Sequence, residues 1–472
     1  MALSTPPESA TTVSSACFVT ARRMLYIAGV RKRDRLTVDV DALDGEGAGV
    51  GEHDGVRVHI AGALPGERAL AAVEHLSPHR PDAWAALERV ERPSPERVAP
   101  ACAAYGACGG CPLEHLAYPS QVKWKSERAA DLLGQIASVA PCVPSPRPLG
   151  YRNRSKLVYG IVDGRRVLGA YAPRSHRLVD LAGCRVAEPP LDDVAQSLAA
   201  LLDARAVAPY DERTGEGLLR YAILRVNFAG EVLATLVTAA EWSGGGELAR
   251  ALMAARPEVA GVVENLNASR GNVLYGERDR PLAGRAFLVE DVGGVKLRLS
   301  PTAFFQVNRD VAARIYADVR DAAQLGGGER VVDAYSGAGG VALTLAPRAR
   351  EVIGVEEWRA AVDDAQASAE FNGVQNARFV CADTARGLAE LDRADVVVLN
   401  PPRRGCDPAV LDGVARLGAR RVLYVSCSPD TLARDLQRLA SLGYATRAIT
   451  PYDMIPQTPH LEALAVATRT RD

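Results

Sequence analysis

The sequence predicts a multidomain protein with an N-terminal small β-barrel, a mainly β central region and a C-terminal α/β domain with a Rossmann-like sheet. Three observations support this architecture. At 472 residues the chain is too long for one ordinary core. Short alternating runs separated by glycine turns occupy the first hundred residues, as is typical of a small barrel. In the last third, β-branched runs alternate with helix-length segments, which indicates a parallel sheet.

Composition narrows the class of protein. With 48% hydrophobic and 24% charged residues, the chain has the composition of a soluble globular protein. It contains no apolar run long enough to span a bilayer, so we expect no membrane role. Nine cysteines in a chain of this length do not form the framework of a small secreted disulfide protein. We therefore expect a cytoplasmic protein, and nothing in the sequence implies an obligate protein partner.

Charge is unevenly distributed, although the net charge is only −1. Between Arg147 and Arg177 there are eight arginines and lysines and one acid, Asp163, so this segment carries +7 and the remainder −8. One interpretation is a solvated β-hairpin face. The other is a local patch that contacts nucleic-acid phosphates selectively.

The first segment, residues 1–31, is rich in Ser, Thr, Ala and Pro, and we expect a disordered extension. Its apolar stretch is too short, and the pair Arg22-Arg23 arrives too late, for a secretory signal. The composition changes after this stretch. We therefore hypothesise that translation begins at Met24, which the intact mass of the native protein would test.

Residues 32–94 are predicted to form the barrel, with strands such as Leu36–Val40 and Val56–Ile60 around a glycine-rich stretch. Residues 95–298 combine a cysteine group, an amphipathic helix from about Pro119 to Leu133, and a strand-rich region from Tyr151. The cysteines are three within ten residues and one further along: Cys102, Cys108, Cys111 and Cys184. Four thiolates can hold zinc or an iron–sulfur cube, and the spacing does not choose cleanly, although a 3+1 grouping suits a cluster better.

In residues 299–472, each predicted strand ends on a residue with polar or glycine character. The strand ends carry the loop from Ser336 to Gly340, then Glu356, Asp383, Asn400 and Cys427. Because ligands bind outside the carboxyl ends of parallel strands, these residues should share one crevice. Glu356 lies nineteen positions after Gly337, which suits a ribose hydroxyl pair, and there is no Gly-Lys-Ser/Thr for a triphosphate. The ligand is then a dinucleotide or S-adenosylmethionine.

Cys427 lies where a buried strand meets a predicted helix start at Ser428-Pro429. The free N–H groups and the dipole of that helix are expected to favour a thiolate, the nucleophilic form of cysteine. The alternative is a buried structural cysteine.

Five segments together resemble the RNA uracil-5-methyltransferase family, which makes 5-methyluridine in tRNA and ribosomal RNA. They are 299–308 with Phe-Phe-Gln-Val-Asn, 333–340, 400–405, 424–431 with Tyr-Val-Ser-Cys, and 453–462 with Asp-Met-Ile-Pro and His-Leu-Glu. The resemblance extends from about residue 32 onward. Within it, Gly47–Gly51 and Ala63–Glu67 resemble a TRAM domain, an RNA-binding barrel found in part of the family.

The resemblance implies an S-adenosylmethionine-dependent enzyme in which Cys427 is the nucleophile and Glu462 the base that removes a proton. Glu462 is followed by an apolar run, which indicates a buried strand rather than a surface edge. The family pattern also assigns a cofactor-binding set and a [4Fe–4S] cluster, and it orients the central arginines and lysines toward RNA. The cofactor set is Gln306, Tyr335, Gly337, Glu356, Asp383 and Asn400, and the cluster ligands are Cys102, Cys108, Cys111 and Cys184.

Two departures from the family pattern leave alternatives open. Many members have Asp where this chain has Asn400, and others have Asn where it has Gly340. Asn-Pro-Pro also occurs in amino-methyltransferases, but Arg403 occupies the position of their aromatic residue and they need no thiol. A non-catalytic RNA-binding protein on the same scaffold is a further alternative. Because the barrel and the Asn-Pro-Pro-Arg-Arg-Gly form occur in ribosomal-RNA enzymes of the family, we expect 23S rRNA rather than tRNA as substrate.

Overall fold

The computed structural model describes residues 29–271 and 273–470. Most of the predicted N-terminal extension, and the hypothetical start at Met24, lie outside the described residues. The chain divides into two compact units. One comprises the described residues up to Asp44 together with Ala48–Pro93, and the other comprises Gly45–Gly47 and the chain from Ser94 onward.

The first unit contains five strands: β1 (Arg35–Leu43), β2 (Gly49–His53), β3 (Val56–Ala61), β4 (Arg68–Leu76) and β5 (Asp82–Arg92). They close into a barrel in the order β1-β2-β3-β5-β4. Buried and exposed residues alternate along β3, because successive side chains of a strand point to opposite faces. At Gly51 an added Cβ would stand 2.1 Å from the carbonyl oxygen of Asp39, so the close approach of β1 and β2 requires glycine. The predicted small β-barrel is confirmed.

The second unit begins with cysteine-containing loops and the helix α1 (Tyr118–Leu133), one residue longer than predicted. A seven-stranded sheet follows: β6 (Arg154–Val162), β7 (Arg165–Tyr171), β8 (Leu178–Asp180), β9 (Leu219–Val226), β10 (Val232–Thr238), β11 (Val259–Leu266) and β12 (Arg278–Gly284). Its strand order is β12-β11-β10-β9-β6-β7-β8.

The prediction of a mainly β central region missed two helices, α2 (Pro189–Ala204) and α3 (Gly245–Ala255). Their apolar faces pack on the central sheet, with Leu198 and Leu252 fully buried against strand residues such as Leu224. The signal was present in α2, whose buried residues recur at the three- to four-residue spacing of a helix. A hairpin of β13 (Leu288–Val292) and β14 (Val295–Leu299) then leads into the C-terminal part.

The C-terminal part contains α4 (Arg309–Ala323), β15 (Arg330–Ala334), α5 (Gly340–Leu345), β16 (Glu351–Glu356), α6 (Arg359–Phe371), β17 (Ala377–Cys381), α7 (Thr384–Ala389), β18 (Val396–Leu399), α8 (Pro408–Arg416), β19 (Arg421–Ser426), α9 (Pro429–Ser441), β20 (Tyr444–Tyr452) and β21 (Glu462–Arg469). The sheet order is β17-β16-β15-β18-β19-β21-β20. The first five strands are parallel, and β21 runs antiparallel between β19 and β20.

Helices cover both faces of this sheet. Along β18, Val396 and Val398 join an apolar cluster with α4 and α6, whereas Val397 and Leu399 join a second cluster with α8 and α9. Strands buried on both faces read as continuous apolar runs, which is why they were visible in the sequence. The predicted Rossmann-like domain is confirmed. In the described part of the chain, no helix combines the length and apolar character that a bilayer crossing requires.

Candidate active site

The crevice lies at the carboxyl edge of the parallel strands. In the sheet, β15 is flanked by β16 on one side and β18 on the other, so the direction of winding reverses there. Such a switch point is where open α/β sheets bind their ligands. The carboxyl ends of the five parallel strands and the loops after them carry the predicted residues Gly337, Glu356, Asp383, Asn400 and Cys427.

The glycine loop after β15 is held by Glu356. Tyr335, Gly337 and Gly339 all adopt positive φ angles, of 64°, 53° and 87°. The Gly337 N–H donates to Oε2 of Glu356 at 3.0 Å, and the Trp358 N–H donates to Oε1 at 3.0 Å. Because each carboxylate oxygen accepts a backbone N–H, the Glu356 side chain is fixed at the end of β16 beside the loop.

Tyr335 and Asp383 lie on neighbouring loops. Burial, followed by the nearby Cys406 thiol, raises the pKa of the Tyr335 hydroxyl, and Thr384 acts in the opposite direction. Asp383 is exposed and caps α7, its Oδ1 accepting the N–H groups of Ala385 and Arg386 at 3.0 and 3.2 Å. Its second carboxylate oxygen is not used in the cap.

Gln306 and Asn400 are held by hydrogen bonds of their backbone groups to different parts of the unit. The Gln306 carbonyl accepts from the Asn153 side chain at 2.9 Å, which ties the segment before α4 to the central part of the unit. Asn400 follows β18 and donates its backbone N–H to the Ala334 carbonyl at 3.4 Å. Both side chains are half-buried.

Tyr316, which the sequence analysis missed, fills the space beside Gly340. A Cβ at Gly340 would stand 2.6 Å from the Tyr316 hydroxyl oxygen. Burial, then the carboxylates of Asp333 and Glu462, raise the pKa of Tyr316. The ring on α4 therefore occupies the position from which an asparagine side chain would extend in other family members. No local pattern could have indicated this contact, because α4 and α5 meet only in the fold.

Cys427 and Glu462 face each other across two neighbouring strands. The last ladder pair of β19 and β21 is Ser426 with Ala463, so Cys427 and Glu462 are the next opposed positions. Opposed residues of an antiparallel pair have Cβ atoms about 4.5–5.5 Å apart. Glu462 is 6% exposed and lies in an interior strand, not on an edge. Burial raises the pKa of Glu462 to about 7.

A backbone N–H favours the Cys427 thiolate, as expected at the strand-to-helix junction, but other causes outweigh its effect. Burial, followed by the Glu462 carboxylate, raises the pKa of the Cys427 thiol above its usual value. The Arg403 guanidinium and a backbone N–H act in the opposite direction but do not outweigh these two causes. Burial and Arg403 also lower the pKa of His460. The Arg403 guanidinium thus lowers the pKa of three groups, those of Cys427, Glu462 and His460.

The segment that carries Glu462 is anchored by α1. Lys125 and Asp453 are fully buried and form an ion pair of 2.5 Å, and the Lys125 ammonium also donates to the Ile455 carbonyl at 3.1 Å. Gln121 and Gln457 bond to each other in both directions, at 2.8 and 3.0 Å. These contacts join helix α1 to the chain just before β21.

The four predicted cluster cysteines lie near one another, and all are partly exposed. Burial, followed by Glu114 and the thiols of Cys184, Cys108 and Cys102, raises the pKa of Cys111 to about 12. Within residues 29–271 and 273–470, however, no three His, Cys, Asp or Glu side chains are gathered as a metal site. The donor set fits an iron–sulfur cluster chemically, although the sulfurs are not at ligand geometry. A cavity of about 190 Å³ beside Cys184 is lined mainly by β6, β7 and α2, away from the crevice.

Two exposed aromatic residues, not singled out from the sequence, lie close in the chain to proposed cofactor contacts. Phe304 is 67% exposed although Phe305 is buried, and Trp358 is 70% exposed directly after the fixed carboxylate of Glu356. Large aromatic faces left open at a site are candidates for stacking on bases.

Only part of the basic segment Arg147–Arg177 is exposed and free to contact nucleic-acid phosphates. Four of its arginines make internal contacts: Arg147 with Asp310, Arg152 with the Arg154 carbonyl, Arg154 with Tyr275, and Arg166 with Asp203. Three others are exposed: Arg165, Arg174 and Arg177.

A doubly covered sheet, with a glycine loop at its switch point and a fixed acid at the end of the next strand, is an architecture that binds dinucleotides or S-adenosylmethionine. The comparisons select S-adenosylmethionine-dependent methyltransferases. The tRNA (uracil-5-)-methyltransferase family matches residues 291–470. A protein of Geobacter sulfurreducens, described as an uncharacterized RNA methyltransferase, is 43% identical over 452 residues, which are 93% of this chain and 91% of that protein.

A second uncharacterized RNA methyltransferase, from Thermosynechococcus vestitus, is 39% identical and covers 91% of this chain and 97% of its own length. Among solved structures, the Pyrococcus abyssi tRNA (uracil-54, C5)-methyltransferase in complex with S-adenosyl-L-homocysteine aligns with a TM-score of 0.74 and 27% identity. The alignment covers 92% of this chain and all of that one. The chain belongs to the RNA uracil-5-methyltransferase family and is an S-adenosylmethionine-dependent enzyme that acts on RNA.

Proposed function

We propose that the enzyme forms 5-methyluridine in 23S rRNA through a covalent adduct between Cys427 and the target uracil. The observation that best supports this proposal is the opposition of Cys427 and Glu462 at the ends of β19 and β21. Methylation of an amine requires no thiol. Methylation of the weakly nucleophilic carbon 5 of uracil benefits from covalent catalysis, which divides one difficult step into two easier ones.

In the proposed reaction, the Cys427 thiolate adds to carbon 6 of the uracil. As the sulfur–carbon bond forms, the electron pair of the carbon 5–carbon 6 double bond moves toward oxygen 4, and the resulting enolate is nucleophilic at carbon 5. Carbon 5 attacks the methyl carbon of the cosubstrate S-adenosylmethionine, the bond from that carbon to the sulfonium sulfur breaks, and S-adenosylhomocysteine leaves. Glu462 then removes the proton from carbon 5, the double bond re-forms, and the Cys427 thiolate leaves.

Glu462 suits the role of base because of its environment. Its pKa is raised by burial to about 7, and a general base is most effective when its pKa is near the working pH. Proton removal by such a base contributes roughly 10²–10⁴-fold in rate.

The residues around the glycine loop are proposed to hold the cofactor. The fixed Glu356 carboxylate would accept the ribose hydroxyls, and the exposed face of Trp358 next to it would cover the purine ring. The remaining proposed contacts are Gln306, Tyr335, Gly337, Asp383 and Asn400. We assign cofactor binding and catalysis to residues 299–472, and RNA contact to the TRAM-like barrel (32–94) and the central region (95–298).

The decisive test uses RNA in which 5-fluorouracil replaces uracil. With fluorine at carbon 5, Glu462 has no proton to remove, so the wild-type protein should accumulate a denaturant-resistant adduct with the RNA. Cys427→Ala should form none and should not methylate, whereas Cys381→Ser should form the adduct like the wild type. An adduct with Cys427→Ala would assign the nucleophile to another residue. Turnover by that variant would also favour an amino-methyltransferase or another non-covalent reaction.

The preference for 23S rRNA over tRNA as the substrate is supported by the family resemblance and not by the geometry of the site. The barrel and the Asn-Pro-Pro-Arg-Arg-Gly turn favour 23S rRNA through the family resemblance. The Pyrococcus abyssi enzyme acts on tRNA, which makes tRNA the second candidate. Mapping 5-methyluridine by mass spectrometry in both RNAs from a deletion strain, with and without the restored gene, distinguishes the two. Loss from tRNA alone would reject the rRNA proposal.

The proposal includes a [4Fe–4S] cluster held by Cys102, Cys108, Cys111 and Cys184. When bound, it would link the loop 102–111 to Cys184. Anaerobically purified protein should be brown, with equal amounts of iron and acid-labile sulfide. Serine at any of the four positions should remove the colour, and Cys381→Ser should retain it. Colourless protein with stoichiometric zinc would contradict the assignment.

A further inference from the structure

We propose that Gln457 is a positioning residue for the base Glu462. Paired with Gln121 of helix α1, it fixes the connection between β20 and β21 so that the Glu462 carboxylate faces the adduct on Cys427, and it thereby sets the rate of product release. This inference rests on the proposed function, because it takes Glu462 as the base that ends the reaction. Neither glutamine was singled out from the sequence.

The connection 453–461 determines where Glu462 lies. Tyr452 and Glu462 form the last ladder pair of β20 with β21, so Glu462 is the first residue that the connection delivers to the sheet. The ladder between β19 and β21 ends at Ser426 with Ala463, one position short of Cys427 and Glu462. Glu462 is therefore paired on the β20 side only, and the contacts of the connection set its direction toward Cys427.

Gln457 lies buried within this connection, and each of its polar groups is hydrogen-bonded. Its N–H donates to Oε1 of Gln121 at 3.0 Å, and its Oε1 accepts from Nε2 of Gln121 at 2.8 Å. Its carbonyl accepts from the Leu113 N–H at 3.0 Å, and its Nε2 donates to the Pro148 carbonyl at 3.1 Å. Complete pairing with three separate segments of the chain holds a buried residue in one conformation.

The backbone of Gln457 is strained, with a φ angle of 67°. Residues that carry a Cβ rarely adopt this conformation, and it persists only where the surrounding structure enforces it. The reciprocal pair with Gln121 supplies that constraint here. Strain of this kind is concentrated at functional sites, where it holds the chain in a geometry that it would not adopt by itself.

Helix α1 provides a rigid support for the connection. Gln121 is 1% exposed, and two more side chains of the helix reach the same connection. The Lys125 ammonium donates to the Ile455 carbonyl at 3.1 Å, and the Arg128 guanidinium donates to the Pro459 carbonyl at 2.8 Å. Positions 121, 125 and 128 share one face of a helix. A single helix face thus holds the connection at three points before Glu462.

The position of Glu462 matters at one step of the proposed reaction. Attack by Cys427 and methyl transfer come first and use no base. The Glu462 carboxylate then takes the carbon-5 proton, the double bond re-forms and the Cys427 thiolate leaves. A general base must lie within hydrogen-bond reach of the proton that it removes. A connection released from α1 should therefore slow product release and spare the earlier steps.

The test follows a labelled methyl group from S-adenosylmethionine into unmodified transcripts of 23S rRNA and tRNA. A denaturing gel separates the methylated covalent complex from the released methylated RNA within a single turnover. Gln457→Gly removes the side-chain hydrogen bonds and suits the positive φ angle, so the protein should stay folded. Its release rate should fall at least about tenfold, which is part of the roughly 10²–10⁴-fold that a base contributes, and the methylated complex should accumulate. The adduct with 5-fluorouracil RNA, which needs no base, should form at the wild-type rate.

Two further variants make the test specific. Gln121→Met removes the other side of the pair and should cause the same accumulation. Leu252→Ala, which leaves a cavity in the central region, lowers stability and should leave the ratio of complex to released RNA unchanged.

Release at the wild-type rate by Gln457→Gly and Gln121→Met would overturn the proposal. So would a loss in the rate of fluorouracil adduct formation as large as the loss in release, because the pair would then act on the whole site. If the wild type forms the adduct and either result is found, this inference alone fails. If the wild type forms no adduct, the proposed function fails and this inference fails with it.

Discussion

At the scale of a single residue, Glu462 is required for only one of the two halves of the proposed reaction. Addition of Cys427 and methyl transfer require no base, but release does. Glu462→Gln keeps the size of the side chain and cannot take a proton at neutral pH. The variant should therefore bind RNA, transfer one labelled methyl group and stall as a covalent complex on a denaturing gel. Turnover at the wild-type rate would show that another group, with His460 the nearest candidate, removes the proton.

The same carboxyl makes stability depend on pH. Its pKa is about 7 in the folded protein and near 4.5 when unfolded. Below pH 4.5 it is protonated in both states. As pH rises from 4.5 to 7 the unfolded state loses this proton first, so the free energy of unfolding falls. Glu462→Gln should unfold in urea at the wild-type midpoint near pH 4.5 and be more stable at pH 7.5, by up to about 3 kcal/mol. Equal midpoints at pH 7.5 would contradict the burial argument.

Sequence reasoning was effective for some residues of the site and ineffective for others, for a physical reason. Cys427 and Glu356 could be located because each follows a short apolar strand, and in a parallel sheet strand ends share one edge. Arg403 and Tyr316 could not be assigned roles. Arg403 affects the pKa of Cys427, and Tyr316 fills the space beside Gly340; in each case the two residues are 24 positions apart and belong to neighbouring elements. Such contacts leave no local periodicity.

At the scale of elements, helix α1 supports the active-site segment before β21. The buried pair of Lys125 and Asp453 lies between them, with neither side chain exposed. Their pairing offsets a large desolvation cost. Removing one partner therefore lowers the free energy of unfolding more than replacing both residues by apolar ones. The strand ends could be predicted from local sequence patterns, but this support could not. It joins positions more than three hundred residues apart.

Lys125→Met tests this support. It leaves the Asp453 carboxylate buried without its cation, and we expect a loss of about 3–5 kcal/mol in the free energy of unfolding, measured by urea denaturation. Lys123→Met is the matched control on the same helix, because Lys123 is exposed and makes only a surface ion pair with Glu127. Its effect should stay below about 1 kcal/mol. Comparable losses in both variants would show that the buried pair has no special role.

At the scale of the whole molecule, we expect the two compact units to differ in function, with cofactor binding confined to the second unit. The barrel unit ends at Pro93, and every proposed cofactor contact lies after residue 300. A protein that lacks residues 1–94 should therefore bind S-adenosylhomocysteine with wild-type affinity in calorimetry. Its affinity for RNA should fall, and the salt dependence of binding should become shallower, because each lost phosphate contact reduces the release of counterions. Arg165→Gln in the full-length chain, one exposed charge of the basic segment, should reduce that slope by about one. If the truncated protein binds RNA with unchanged affinity and slope, the barrel does not contribute to RNA recognition, and the central region is left as the principal RNA-binding part.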